Sequence, residues 1–386
     1  MNKSVIQGNI SKWRQHSFLL IISAILVLSI LVGCGPSTED LEAVDYTPLM
    51  SDDWKVSTPE AQGLDPMLVA EMYYHAAELE TIYGLLVIKN GHLVAEKYFN
   101  EASVDELSKR ASVTKSYTSA LVGIALEQGY LSSLEQKMLD FFPDVANQIT
   151  DPRKEQITIR EMLQMRAGYP WEETDAALWD ALWSGEYLSD IVNIPLTADP
   201  GTAFQYSNLT SHWLGIIVAR AAGTDLKSFG EEHLFSPIGV EVGDDWNRDL
   251  DGYYIGCGDI QFTARDMAKF GLLYLNGGKY EGKQIISTDW VQDSLQTYSE
   301  KAWDNIGHLR NIGYGYQWWS AKVGKHDINF AWGHGGNLIV LVDEPDMVIV
   351  VTADSFYGKE AHWDSWKYEK ANINLVSEFI NSLPSE

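Results

Sequence analysis

In Ala111-Ser112-Val113-Thr114-Lys115-Ser116, a serine and a lysine stand three residues apart. On a helix that spacing puts both side chains on one face, within reach of each other. A serine hydroxyl is a weak nucleophile until a base at hydrogen-bond distance takes its proton. A lysine can be that base where a dry cleft leaves part of it neutral. A serine on the first turn also keeps a backbone N–H without an intrahelical acceptor, so it can face a developing oxyanion. Pairs of this spacing also arise on exposed helices, where they do no chemistry. A second cluster, Pro200-Gly201-Thr202-Ala203-Phe204-Gln205-Tyr206-Ser207-Asn208, precedes another helical stretch. Tyr206 offers a phenol that can shuttle a proton, and Asn208 an amide that can hold a substrate carbonyl. Their structural alternatives are a core tyrosine and a helix N-cap.

Other chemistries lack their residues. There is no His-Glu-x-x-His, no P-loop, no Gly-x-Gly-x-x-Gly before a helix and no Gly-x-Ser-x-Gly. The nine histidines are scattered without metal-ligand spacing, and two cysteines are too few for a four-cysteine zinc site or a disulfide scaffold. The expected site therefore holds no metal and no cofactor. With 54 acidic against 28 basic residues and a net charge of −26, the chain would be repelled by nucleic acid. Its 45% hydrophobic content suffices for a sizeable core.

Several elements must position these residues. The β-rich runs 84–89 and 92–99 flank Asn90-Gly91, a hairpin signal. From about 112 to 290 the pattern is mainly helical, with helices expected over Ser112–Gln128, Ile157–Arg166, Leu214–Ala222 and Ala264–Leu275. Strands return at Gly313–Ser320, Asn329–His334, Leu338–Val342 and Met347–Thr352, and an amphipathic helix closes the chain from about Lys367 to Leu383. Strands at both ends predict an α/β fold: one antiparallel sheet flanked by helices, with an inserted helical lobe. The sheet lobe spans 56–111 and 290–386, the helical lobe 112–289, and the cleft between them is the expected site.

The amino terminus reads differently. Residues 1–33 carry Lys3, Lys12 and Arg14 and no acidic residue, and the apolar run from Phe18 to Val32 is broken only by Ser23 and Ser29. A basic stretch before a hydrophobic one resembles an export signal, and about 15 apolar residues are short for a span needing roughly 20. The run ends in Leu31-Val32-Gly33-Cys34, similar to a bacterial lipobox. The expectation is a signal peptide over 1–33, a lipidated Cys34, a polar tether over 34–55, and an exported lipoprotein anchored in the bacterial envelope membrane. Cys257, the other cysteine, reads as a small buried bystander.

The two clusters resemble the penicillin-recognising serine hydrolases, which include class C β-lactamases, serine D-Ala-D-Ala peptidases, β-lactamase-like esterases and 6-aminohexanoate-dimer hydrolases. The resemblance spans about residues 56–380 and extends to Ile157–Leu163 with Arg166-Ala167-Gly168, and to Phe262–Gly271. It implies the β-lactamase/DD-peptidase fold, with Ser112 as the acylated nucleophile and Lys115 and Tyr206 as the proton-handling pair. Asn208 matches the last residue of the Tyr-x-Asn motif. The third motif, Lys-Thr-Gly or His-x-Gly, has two alignments on Ala331-Trp332-Gly333-His334-Gly335-Gly336-Asn337. His334-Gly335-Gly336 matches by letters. The turn-like Gly335-Gly336-Asn337 instead favours Ala331-Trp332-Gly333 on the motif strand, with the His334 N–H in the oxyanion hole. Neither alignment supplies a lysine, so cationic recognition of a substrate carboxylate does not carry over.

Of the 14 tryptophans, Trp171 and Trp332 are the strongest candidates for lining the pocket; Trp179 and Trp183, four apart, could line an acyl pocket or fill a core. The expected function is a serine hydrolase acting on a small-molecule ester or amide through an acyl-enzyme on Ser112, most simply an esterase or small-amide hydrolase. A D-Ala-D-Ala carboxypeptidase or weak β-lactamase is the alternative within the class. A non-catalytic envelope binding protein is the alternative outside it.

Overall fold

The computed structural model describes residues 35–179, 194–357 and 365–384, and the chain divides into two compact units, Met1–Val44 and Asp45–Glu386. In the first unit Ser37 caps a short helix, Thr38–Glu42, through a capping box with Asp40. Cys34 and Trp183 lie outside the described residues. No described helix is long and apolar enough to cross a membrane.

The second unit is built on seven strands: β1 Ile82–Lys89, β2 His92–Tyr98, β3 Leu309–Tyr314, β4 Trp319–Val323, β5 His326–Gly333, β6 Asn337–Val342 and β7 Met347–Ala353. They form one antiparallel sheet in the order β2-β1-β7-β6-β5-β4-β3. Asn90 and Gly91, both at positive φ, close the β1–β2 hairpin. β1 pairs with β7 in the register Leu85↔Val351, so strands from the two ends of the chain lie side by side in one sheet. Its helices include α1 Pro66–Ala76, α2 Thr114–Glu127, α3 Ile159–Leu163, α4 Asn208–Ala222, α5 Ala264–Leu275 and α6 Ser365–Ser382. This is the expected α/β architecture, an antiparallel sheet flanked by helices.

β6 and β7 read NLIVLV and MVIVVTA and are buried at every position. Strands without polar alternation need cover on both faces. Ile339 and Val348 lie beneath Gly271 of α5, where a Cβ would come within 2.8 Å and 2.6 Å of their methyl groups. The alternate residues Leu338 and Val340 face the opposite way, toward Ile373 and Val376 of α6. Thus α5, which lies within the section 112–289 expected as the helical lobe, packs on the sheet itself.

The single strand expected over Gly313–Ser320 is two strands, β3 and β4, joined by a tight turn in which the Gly315 N–H donates to the Trp318 carbonyl at 2.8 Å. The apolar run hides the turn because its residues are buried, not exposed. Gln317, at φ 60, carries it into the helical layer. Its backbone carbonyl accepts from Ser116 of α2 (2.8 Å), its side-chain oxygen accepts from Ser211 of α4 (2.6 Å), and its amide nitrogen donates to the Met162 and Leu163 carbonyls of α3. One buried residue, through its backbone and side chain together, thereby ties three helices around the nucleophile segment.

Residues 45–55, read from sequence as part of the tether, run beside β2. The Leu49 N–H donates to Glu96 at 2.8 Å, and Arg265 of α5 bridges Glu96 and Asp53, each at 2.7 Å.

Candidate active site

A single 3-10 turn, Ala111–Val113, carries Ser112 into α2. Ala111 has φ 45, a conformation costing a non-glycine residue about 1–3 kcal/mol. Its surroundings hold it there: the Arg110 N–H donates to the Ile260 carbonyl at 2.9 Å, and the Thr114 hydroxyl donates to the Ala111 carbonyl at 2.7 Å.

One helical turn on, Lys115 is 2% exposed. Its Nζ lies 2.8 Å from Ser112 Oγ, 2.7 Å from Asn208 Oδ1 and 2.9 Å from the Cys257 carbonyl. Asn208 reaches this place because it opens α4, with Ser207 as N-cap. Its amide orientation follows from its neighbours: Nδ2 donates to Glu173 Oε1 at 2.8 Å, and a carboxylate can only accept. Burial pushes the Lys115 ammonium toward its neutral form, against the opposing pull of Cys257, Glu173 and Glu172. A neutral amine has two N–H donors and one lone pair. Asn208 Oδ1 and the Cys257 carbonyl can take both donors, which leaves the lone pair for the Ser112 hydroxyl proton.

The Tyr206 ring lies 5.0 Å from Lys115 Nζ. Burial raises its phenol well above the usual range, Glu173 adds to that, and a hydrogen bond to Ser112 opposes it. The Cys257 thiol is pushed up to about 12 by burial, which keeps it protonated. Its side chain is the expected bystander, but its carbonyl touches Lys115.

Two carboxylates not singled out from sequence hold this corner. Glu172, fully buried, accepts from the Ser207 hydroxyl (2.7 Å), the Asn208 N–H (2.9 Å) and the Leu209 N–H (3.2 Å). An anion there satisfies orphan donors at the start of α4 and complements its dipole. Glu173 is exposed and bonds Asn208 from outside. The acidic pair following Trp171 is a visible signal. Its partner lies 35 residues away, beyond any local pattern. Behind Asn208, buried His212 accepts from the Gly256 N–H at 3.2 Å and lies 2.9 Å from Asp249, steadying the loop that supplies the Cys257 carbonyl.

The third segment enters from the sheet. β5 ends at Gly333, the Gly336 N–H closes a turn onto the Gly333 carbonyl at 3.1 Å, and β6 begins at Asn337. A Cβ on Gly333 would lie 2.4 Å from the Arg110 carbonyl and 3.2 Å from the Val113 nitrogen, so only glycine lets the tip of β5 lie against the residues flanking Ser112. His334 follows, its side chain 47% exposed and 3.0 Å from Glu369 of α6, whose hydrogen bond raises its pKa.

The pocket candidates also assemble. Half-buried Trp171 meets Tyr206 edge-on at 6.4 Å and Trp303 at 5.1 Å. Trp319 stacks on Tyr206 at 5.7 Å, and Trp332 contacts both Trp319 and Trp303. Trp303 and Trp319 are additions to the sequence reading. Trp179 packs against the main core. Among the described residues no group of acidic, histidine or cysteine side chains is arranged to hold a metal.

A family model described as Beta-lactamase matches residues 80–371, and the chain belongs to that family. Over 297 residues it is 24% identical to the 6-aminohexanoate-dimer hydrolase of Paenarthrobacter ureafaciens, covering 72% of this chain and 74% of that protein. A Dichelobacter nodosus protein provisionally named fimbrial assembly protein FimD, serogroup D, is 33% identical over 295 residues, 72% and 73% of the two chains. Among solved structures, a Bacillus anthracis protein provisionally named a 6-aminohexanoate-dimer hydrolase has a TM-score of 0.62 at 22% identity, covering 79% of this chain and 81% of that one. At that identity the likeness is one of fold.

Proposed function

We propose that the protein is a serine hydrolase that cleaves a small ester or amide through an acyl-enzyme on Ser112. The observation carrying this reading is the contact set of Lys115, a buried amine whose two other polar neighbours can only accept. Neutral Lys115 takes the Ser112 proton as Oγ attacks the substrate carbonyl carbon. The resulting oxyanion is held by the N–H groups of Ser112 and His334. Tyr206 relays the proton to the leaving alcohol or amine as its bond to carbon breaks, and water then adds to the acyl-enzyme and releases the acid by the reverse sequence. The aromatic wall of Trp171, Trp303, Trp319 and Trp332 suits an apolar substrate portion. With Glu173 at the site and no lysine at the third segment, an esterase or small-amide hydrolase is favoured over a carboxypeptidase or β-lactamase, whose substrates bring a carboxylate.

Relatives of this chain carry names of both kinds, hydrolase and fimbrial assembly protein, which keeps a non-catalytic envelope role as the second reading. A binding module, however, has no use for a dry lysine poised on a serine. Treatment with a fluorophosphonate followed by peptide mass spectrometry separates the two. An adduct on Ser112 is expected, with none or a slow one from benzylpenicillin; no adduct from either reagent would reject catalysis at Ser112. We further propose that the enzyme works tethered to a bacterial membrane through lipidated Cys34. A Cys34→Ala chain that still sediments with membranes would count against that.

A further inference from the structure

Glu369 lies 34 residues beyond Gly335, yet its carboxylate's contacts converge on the turn that holds that glycine. It is 4% exposed on α6, and accepts from Trp332 Nε1 at 2.6 Å and from the Gly335 N–H at 2.9 Å, with His334 Nδ1 at 3.0 Å. One turn along the same helix face, Asn372 donates to the Gly335 carbonyl at 2.9 Å. Gly335 is thus gripped at both its N–H and its C=O by α6. The His334 carbonyl is held from the sheet side by Asn337 Nδ2 at 3.0 Å. A buried carboxylate is costly unless hydrogen bonds surround it, and here the donors all come from residues 332, 334 and 335. Between them lies Gly333, the residue packed against Arg110 and Val113 on either side of Ser112.

We propose that Glu369 is a positioning residue for the reaction at Ser112: from the C-terminal helix it fixes the Trp332–Gly335 turn, and so the distance between that turn and the serine. This rests on the serine-hydrolase reading above. Glu369 touches neither substrate nor serine. Its effect passes through a turn that meets the reacting carbonyl once the oxyanion forms, where small displacements are expensive.

The test uses the full chain and counts active sites by stoichiometric fluorophosphonate labelling of Ser112, so that misfolded protein drops out of the rate. Glu369→Gln keeps the shape but faces an amide N–H₂ toward donors. Its kcat per labelled site on a p-nitrophenyl ester should fall about tenfold to a hundredfold, with KM changed less than about twofold and the rate of fluorophosphonate labelling falling in parallel. Trp332→Phe, which removes one donor, should lose less. A Glu369→Gln protein with wild-type kcat per labelled site overturns the inference, whether its melting temperature and labelled fraction are intact or reduced, since the latter marks a purely structural role. A wild-type protein that never labels rejects the hydrolase reading itself, and the inference with it.

Discussion

Lys115 and His334 are two basic side chains close to the serine segment, and their surroundings are opposite. Lys115 is 2% exposed among oxygen acceptors, and burial drives its pKa down. His334 keeps 47% of its side chain exposed beyond the tip of β5, and the Glu369 carboxylate drives its pKa up. Residue type alone assigns the charge to the lysine and neutrality to the imidazole. The environments move each toward the other's habit. Burial without a contacting counter-ion makes a base, whereas partial exposure beside a carboxylate makes a cation. A nucleophile needs the first, so the dry side of the site is where the largest catalytic effect should reside.

The comparison breaks most readily on single substitutions at the two positions. Lys115→Met, which keeps the length and removes the nitrogen, should lower kcat/KM for a p-nitrophenyl ester about 10²- to 10⁴-fold. Lys115→Arg should not restore it, because a guanidinium does not give up its proton. His334→Ala leaves the backbone N–H in place and should cost less than about tenfold. Equal losses at the two sites, measured per labelled serine, would erase the distinction.

A finer probe is the outer carboxylate. Glu173 favours the charged form of Lys115 through space and bonds the asparagine beside it. Glu173→Gln keeps an acceptor for Asn208 and removes the charge, so the Lys115 pKa should fall further. The acid limb of the kcat/KM–pH profile then moves to lower pH with its plateau little changed. A limb that moves to higher pH, or does not move, would mean that another group controls it.

Much of this was legible in the chain. The Asn90-Gly91 hairpin, the strands 337–342 and 347–353 and helix 264–275 follow from local pattern and fall within a residue or two of expectation. Ser112, Lys115, Tyr206 and Asn208 meet at hydrogen-bond or ring-contact distance, as their side-chain chemistry requires. The supporting groups were not legible. Glu172 caps a helix 35 positions on, Glu369 grips a turn across the sheet, and Gln317 looks like one polar letter within a strand. A carboxylate or amide is ordinarily a surface residue, and only the three-dimensional gathering of donors makes burying it tolerable. Sequence patterns report faces and turns, but not which distant donors will converge.

The smallest effect separates the two bases without any substrate. Glu369 raises the folded-state pKa of His334, so that pair adds stability that is fully present below the unfolded histidine value, about 6.5. The contribution is lost as pH rises through the folded value. Near half-exposure keeps it modest, and added salt should shrink it. For Lys115 the folded value is depressed, so folding disfavours the charged form. That penalty is complete below the folded value and relieved as pH rises toward the unfolded one. Melting temperatures of wild type, His334→Ala and Lys115→Met across pH should therefore diverge in opposite senses. The advantage of wild type over His334→Ala should shrink with rising pH, while its standing relative to Lys115→Met should improve. Parallel trends for the two variants would show that the opposed environments do not act on the basic groups as their burial and partners require.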